Sequence, residues 1–327
     1  MPRVTVGMPT YRRASCLQHT LPQILNQTYT DFELVICDDA SPDNTSEVVN
    51  TFDDPRIRYY RNAHNLNIPA NVNRILELAT GQLIIMLHDH DSFHPRLLEK
   101  MVTLYDRWPN LGFVHPGVAW VESDGSGYRE LLCDFKEITP GQQLVSEMLM
   151  GDDFSCPVTA CAMVSRSSYE QAGFRYDEQF GFLSDMDMWL RLAMRFDVGY
   201  IREALITCRA RDDNHEYAGV DWRLIRWAVA IHDANIERAF PAHHPVRSAA
   251  RARFERKRRQ CFAQATLAAA ARGNTRAFRE GLALLSRERG GSTVHLARSL
   301  SAVRFIHPTI TGVARVLNYL RKTMVRQ

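Results

Sequence analysis

Apolar and polar positions follow two alternating periods along the first third of the chain. Short apolar runs are separated by stretches in which apolar residues recur every three to four positions. Val4 to Met8 predicts a strand stopped by Pro9, and Leu17, Leu21, Ile24 and Leu25 share one face of a helix reaching Gln27. Phe32 to Cys37 predicts a second strand, broken by the turn-forming run Asp38-Asp39-Ala40-Ser41-Pro42-Asp43-Asn44. A helix over Thr45 to Phe52, a strand over Ile57 to Tyr60 and a helix over Ala70 to Ala79, stopped at Gly81, come next. A strand over Leu83 to Leu87 and a helix over Pro95 to Arg107 complete the alternation. This order predicts an α/β fold with a mostly parallel sheet flanked by helices. Ligands bind such sheets beyond the carboxyl ends of the strands. The polar turns Pro9-Thr10-Tyr11, Asp38-Asp39 and His88-Asp89-His90-Asp91 all fall there.

The middle of the chain is less regular. Strands are expected at Phe113 to Val121, Ala160 to Val164 and Val198 to Ile201, a turn at 123–127, and a helix over Asp185 to Arg195. From about Pro245 the pattern becomes helical. Arg247 to Arg272 ends at Gly273-Asn274, and a second helix capped by Thr275 ends at Gly290-Gly291, the pattern of an αα-hairpin. Ile310 to Val325 is amphipathic and basic.

Composition narrows the class. The 327 residues are 45% hydrophobic and 24% charged, with net charge +3, so no nucleic-acid partner is indicated. The charge is uneven: from Arg247 onward there are eighteen Arg or Lys against three acids, Glu255, Glu280 and Glu288. Seven scattered Cys without metal-type spacing read as small core residues in a reducing compartment. No apolar run approaches the ~18–20 residues of a membrane span, and the N-terminus lacks a signal-peptide core, so a cytoplasmic protein is expected.

The turns carry the candidate chemistry. No G-x-G-x-x-G follows the first strand and no Walker A loop is present, which argues against dinucleotide cofactors and P-loop ATPases. Tyr11 offers a ring to stack on a base, and Asp38-Asp39 offers carboxylates to accept an N–H, although the same run also reads as a helix-capping turn. Asp89 and Asp91 suit a hard divalent cation shared with phosphate oxygens. In an extended conformation they lie on one side, with His88 and His90 on the other. The aspartates are the expected ligands for Mg²⁺ or Mn²⁺, with His90 a helper favouring Mn²⁺. In Ser184-Asp185-Met186-Asp187, Asp185 at a helix start is either a cap or a general base.

Taken together, VTVGMPTYRR, QTYTDFELVICDDASPDNT, RIRYYRNAHNLN, LATGQLIIMLHDHD and SDMDMWLRLA occur in the order and spacing of the family 2 glycosyltransferases, which have the GT-A fold. The chain resembles that family over roughly residues 3 to 210. The resemblance implies an inverting, metal-dependent transfer of a sugar from a nucleotide diphosphate sugar to a glycan or lipid-linked acceptor. The setting it implies is polysaccharide, O-antigen or glycolipid assembly. By position, Pro9, Thr10 and Tyr11 would line the nucleoside pocket, Asp39 would recognise the base beside Asp38, and Asn65 and Asn71 would approach the phosphates and ribose. Asp89, His90 and Asp91 would meet the metal and diphosphate, and Asp185 matches the catalytic base. His90 stands where the family places a carboxylate, and Ser184 where it commonly has Glu, so an inactive sugar-nucleotide binder is the alternative. Arg223-Leu224-Ile225-Arg226-Trp227 resembles a motif of processive synthases but also describes a helix face with a buried Trp. His215 falls where relatives place a metal- or diphosphate-directed His. The expected organisation is a GT-A domain over 1–240, split into a nucleotide-sugar half (1–110) and an acceptor half (111–240), then a basic helical extension over 241–327. The basic tail suggests peripheral contact with an anionic inner membrane, or packing between subunits of an oligomer.

Overall fold

The computed structural model describes residues 1–122, 124–209 and 221–287. His215 and the Ile310 to Val325 segment lie outside the described residues, as does Ser123. The chain divides into two compact units, Met1–Met148 with Ser155–Arg211, and Leu149–Phe154 with Asp212–Gln327.

The first unit is built on strands β1 (Val4–Thr10), β2 (Phe32–Asp38), β3 (Ile57–Arg61) and β4 (Leu83–Met86), paired in parallel in the order β3-β2-β1-β4. Helices α1 (Ala14–Leu25), α2 (Thr45–Asn50) and α3 (Ile68–Leu78) connect them. Both faces of the sheet are covered. Val4, Val6 and Met8 alternate with Thr5 and Gly7 along β1, and all five are buried. The strand runs two residues beyond the expected end at Met8, through Pro9 to Thr10. The Gly7 carbonyl accepts from Leu87 N on the β4 side, so the nitrogen of Pro9 faces that side too, beyond the end of the β1–β4 ladder at Gly7↔Met86. No ladder bond is lost there, which is why proline is tolerated.

After β4 come the short strand β5 (Ser92–Phe93) and helix α4 (Leu97–Arg107), which buries Leu97, Leu98, Met101 and Leu104 as its periodicity predicts. Beyond α4 the sheet becomes mixed. Strand β6 (Phe113–Val121) is followed by the short β7 (Arg129–Leu131) and β8 (Ile138–Thr139) and helix α5 (Gly141–Met150). Strand β9 (Met163–Ser165) inserts antiparallel between β4 and β6, and leads into helix α6 (Arg166–Gln171). A 3-10 segment, Glu178–Leu183, precedes helix α7 (Ser184–Ala193).

The last strand, β10 (Val198–Arg209), is much longer than the expected Val198 to Ile201. The charged pair Arg202-Glu203 interrupts its apolar run. The strand absorbs the pair through register shifts between Ile201 and Ile206 against β6, then continues to Arg209.

In the second unit, α8 (Trp222–Ala239), α9 (Arg247–Ala271) and α10 (Thr275–Arg287) surround a core of Trp222, Phe262, Ala263, Phe278 and Leu285. The α9–α10 hairpin forms as expected, turning at Gly273 with φ 71°. Trp222 rather than Trp227 is the buried tryptophan of α8, its indole N–H donating to the Ala277 carbonyl. Helix α8 belongs to this unit together with α9 and α10.

Candidate active site

The order β3-β2-β1-β4 places the reversal of strand order between the parallel neighbours β1 and β4, where an open α/β sheet leaves a crevice at its carboxyl edge. A hydrogen bond crosses this point: Thr10 Oγ1 donates to Asp89 Oδ2 at 2.8 Å. Thr20 of α1 donates to the Asp89 carbonyl at 3.0 Å, tying the turn after β4 to α1. Tyr11, next after Thr10, is 41% exposed and presents its ring to solvent. Arg12, Ala40 and Asn67 all have positive φ. Three non-glycine residues in this costly region, each in a loop leading away from the same sheet edge, mark a backbone held against its preference.

Asp38 and Asp39 have divided roles. Asp38, fully buried at the end of β2, accepts from Ser41 N at 2.8 Å and from the Tyr59 hydroxyl at 2.6 Å. Asp39 accepts from Leu66 N at 2.7 Å, Asn67 N at 3.0 Å and Asn62 Nδ2 at 2.9 Å, so it organises the loop entering α3. Asn71 is buried beneath that loop, donating to the Cys37 carbonyl and accepting from Asn62. Asn65 is exposed, its side chain accepting from Asn67 N.

The run His88 to Asp91 departs from the sequence expectation. Strand β4 ends at Met86 and the run folds as a turn, so the extended alternation that would set Asp89 and Asp91 side by side does not occur. Asp89 turns to Thr10 and to His90 Nδ1 (3.0 Å), whereas Asp91 Oδ2 lies 3.1 Å from His88 Nδ1. The two imidazoles stack with rings 2° from parallel, and His90 Nε2 stands 3.7 Å from Asp91 Oδ1, so His90 bridges the two carboxylates. Burial pushes the Asp91 carboxyl up, but the His88 hydrogen bond, the charges of His88 and His90 and the Arg209 amide together hold it below the usual range.

Two contributors were not legible in the sequence. The extension of β10 brings Arg209 N to Asp91 Oδ1 at 3.4 Å. The antiparallel pairing Leu83↔Ser165, Ile84↔Val164 and Ile85↔Met163 carries the incoming chain past the end of β4, so Cys161 arrives beside the turn. His88, Asp91 and Cys161 offer donor atoms that all lie within 4.8 Å of one another. The cysteine spacing carried no such signal, because the partners are about seventy positions apart.

Asp185 sits in the first turn of α7, partly exposed, with Oδ1 accepting from Met186 N at 2.9 Å. Burial raises its carboxyl to about 6, against the opposing pull of the Met186 amide and the charge of His88. Asp187, two residues on, is fully buried and accepts from Arg191 Nε at 2.8 Å, while Arg191 also donates to the carbonyls of Ala172 and Arg175. Asp187 is therefore a structural clamp, and Asp185 retains oxygen lone pairs for other work.

Comparison with known proteins bears on the family and the fold. The sequence model of Glycosyl transferase family 2 matches residues 5–173. EpsE of Bacillus subtilis strain 168 is 30% identical over 217 residues, covering 65% of this chain and 74% of that protein. A GalNAc(5)-diNAcBac-PP-undecaprenol beta-1,3-glucosyltransferase of Campylobacter jejuni is 32% identical over 134 residues, 40% of this chain and 42% of that enzyme. Among solved structures, S. aureus TarS 1–349 in complex with UDP-GlcNAc superposes with TM-score 0.63 at 13% identity, covering 86% of this chain and 79% of that one. The mannosyltransferase PcManGT of Pyrobaculum calidifontis in complex with GDP-Man and Mn²⁺ gives 0.56 at 18% identity, covering 99% and 87%. These likenesses show that the fold is that of GT-A glycosyltransferases.

Proposed function

Because the chain belongs to glycosyl transferase family 2, we propose that it transfers a sugar from a nucleoside diphosphate donor to a hydroxyl acceptor with inversion at the anomeric carbon. The observation that carries this reading is Asp185 in the first turn of α7, its carboxyl raised to about 6 by burial and near enough to His88 of the β4 turn for that charge to oppose the rise. A general base works best when its pKa lies near the working pH and its lone pairs are free. Asp185 takes the proton from the acceptor hydroxyl as that oxygen attacks the sugar from the face opposite the diphosphate.

Tyr11 stacks on the base, and Pro9, Thr10 and Asp39 form the floor of the nucleoside pocket. Asp38 braces that floor, while Asn65 and Asn71 set the loop that approaches the ribose and phosphates. The donors at the β4 turn fit a divalent cation: Asp91 brings a carboxylate kept ionised, and His88 a ring nitrogen 3.1 Å from it. Such a cation, when bound, offsets the charge of the departing diphosphate. Asp89 and His90 hold Asp91 and Thr10 in register around it.

The acceptor is proposed to be lipid-linked, in glycolipid or polysaccharide assembly. The exposed Arg256 of α9 and the exposed Arg276 and Arg279 of α10 support contact with an anionic membrane surface. No described helix is long and apolar enough to cross a membrane. Sedimentation with phosphatidylglycerol vesicles, but not with phosphatidylcholine vesicles, is the expected result for the full chain. Equal recovery with both would remove this part of the proposal.

The decisive test is a calorimetric titration of UDP, GDP and dTDP into the purified chain with Mn²⁺, Mg²⁺ or EDTA. Metal-dependent binding of one nucleotide, lost in Asp91→Ala, is expected, followed by turnover of the corresponding sugar donor. Binding without turnover on any donor of that nucleotide would favour the inactive-relative alternative that Ser184 raises.

A further inference from the structure

The β4 turn holds a donor set that differs in kind from a pair of carboxylates. His88, Asp91 and Cys161 converge to within 4.8 Å, and the last two are buried. The Cys161 sulfur lies close to the backbone of His88, the residue whose ring pairs with Asp91. The Cys161 amide donates to Thr159 Oγ1 at 2.9 Å, which fixes the backbone that presents the sulfur. Three elements therefore converge on one point: the turn after β4, the chain entering β9, and the end of β10 through Arg209 N.

Donors around a tetrahedral ion at ordinary Zn–N, Zn–O and Zn–S bond lengths stand roughly 3.3–3.8 Å apart. From a widest separation of at most 4.8 Å, the donors need a contraction of no more than about 1.0–1.5 Å, within reach of side-chain rotation. Carboxylate and water oxygens suit Mg²⁺ and Mn²⁺, whereas imidazole with thiolate suits Zn²⁺ and Co²⁺. Three protein donors also leave a position open to an oxygen ligand, the arrangement of a reactive rather than a purely structural site.

We propose that His88, Asp91 and Cys161 form a three-donor site selective for thiophilic divalent ions of the Zn²⁺ and Co²⁺ class over Mg²⁺. Cys161 is the residue that sets this preference. The inference rests on the reading that a divalent cation binds at Asp91 and His88, and adds sulfur ligation to it. It changes which ion the protein carries when several compete, because a thiolate bond discriminates far more strongly than a second carboxylate.

The test uses the full chain freed of metal by EDTA and titrated with Co²⁺. A sulfur-to-cobalt charge-transfer band in the near ultraviolet is expected, saturating at one ion per chain and reversed by Zn²⁺ but not by Mg²⁺. The band should vanish in Cys161→Ser and in Asp91→Asn. It should persist in Cys208→Ser, which removes a neighbouring thiol on β10. Cys161→Ala serves as a second variant, with circular dichroism showing that each protein is folded. A folded wild type with no band, or a band unchanged in both Cys161 variants, overturns the proposal. UDP and GDP titrations with Mn²⁺ on the same preparations separate the two readings. Metal-dependent nucleotide binding without the cobalt band would leave the transferase reading intact and end this one. Failure of both would end both.

Discussion

Two aspartates two positions apart on α7 have opposite fates. Asp187 is fully buried against Arg191, and Asp187→Asn should cost about 3 kcal/mol in chemical denaturation, because it leaves a guanidinium without its counter-charge. Asp185 is raised to about 6 by burial, so its ionised form is disfavoured in the folded chain. For a carboxyl shifted upward, the cost of ionisation is absent below its ordinary value near 4. It grows as pH rises and is complete above about 6. Asp185→Asn should therefore stabilise the protein by about 1–3 kcal/mol at pH 7.5, and the gain should disappear at pH 4. The same variant should lower kcat about 10²–10⁴-fold while leaving nucleotide affinity unchanged. In the wild type, kcat should fall about tenfold per pH unit below 6 and level off above it, the sign expected when the base must be ionised. A flat profile from pH 5 to 8 would remove Asp185 from that role.

At the scale of elements, the crevice depends on how closely β1 and β4 approach and on what crosses their ends. A Cβ at Gly81 would stand 2.5 Å from Thr5 N and 2.7 Å from the Val4 carbonyl carbon, both backbone atoms that cannot yield. Gly81→Ala should cost about 2–3 kcal/mol, read as a lowered urea midpoint, since it forces apart the strands that carry Thr10 and the β4 turn. Thr10→Val keeps shape but removes the donor to Asp89, leaving a buried carboxylate oxygen one bond short. A loss of about 1–2 kcal/mol is expected, with a larger fractional loss of nucleotide binding than of stability. Equal effects on both would make the contact merely structural. Strand β10 teaches a related lesson: its apolar periodicity ends at Ile201, but pairing with β6 carries it to Arg209. Ladder hydrogen bonds override a local break in pattern when a long neighbour strand is present.

At the scale of the whole molecule, each unit has its own apolar core. That of the first gathers β1, β2, β4, α1 and α4, and that of the second gathers α8, α9 and α10. Phe278, 5% exposed in the second core, should cost about 3–4 kcal/mol when replaced by Ala. The calorimetric affinity for the nucleotide should be unchanged, because the proposed pocket residues all belong to the first unit.

By itself the sequence determined the strand–helix order, the parallel run β1, β2 and β4, the edge where the polar turns gather, and the helical hairpin near the C-terminus. These follow from local periodicity and turn chemistry, which act over a few residues. It also singled out Asp185 among the acids, through resemblance to a family motif. Tertiary structure alone decided how the His88 to Asp91 run is shared out. The register of α1 and β10 against the turn aims Asp89 at Thr10 and Asp91 at His88, which strand alternation did not foresee. It alone also placed Cys161 at that turn and separated the structural Asp187 from the available Asp185. Those outcomes depend on contacts between residues tens of positions apart, formed by antiparallel pairing and helix packing, and no periodicity along the chain records them.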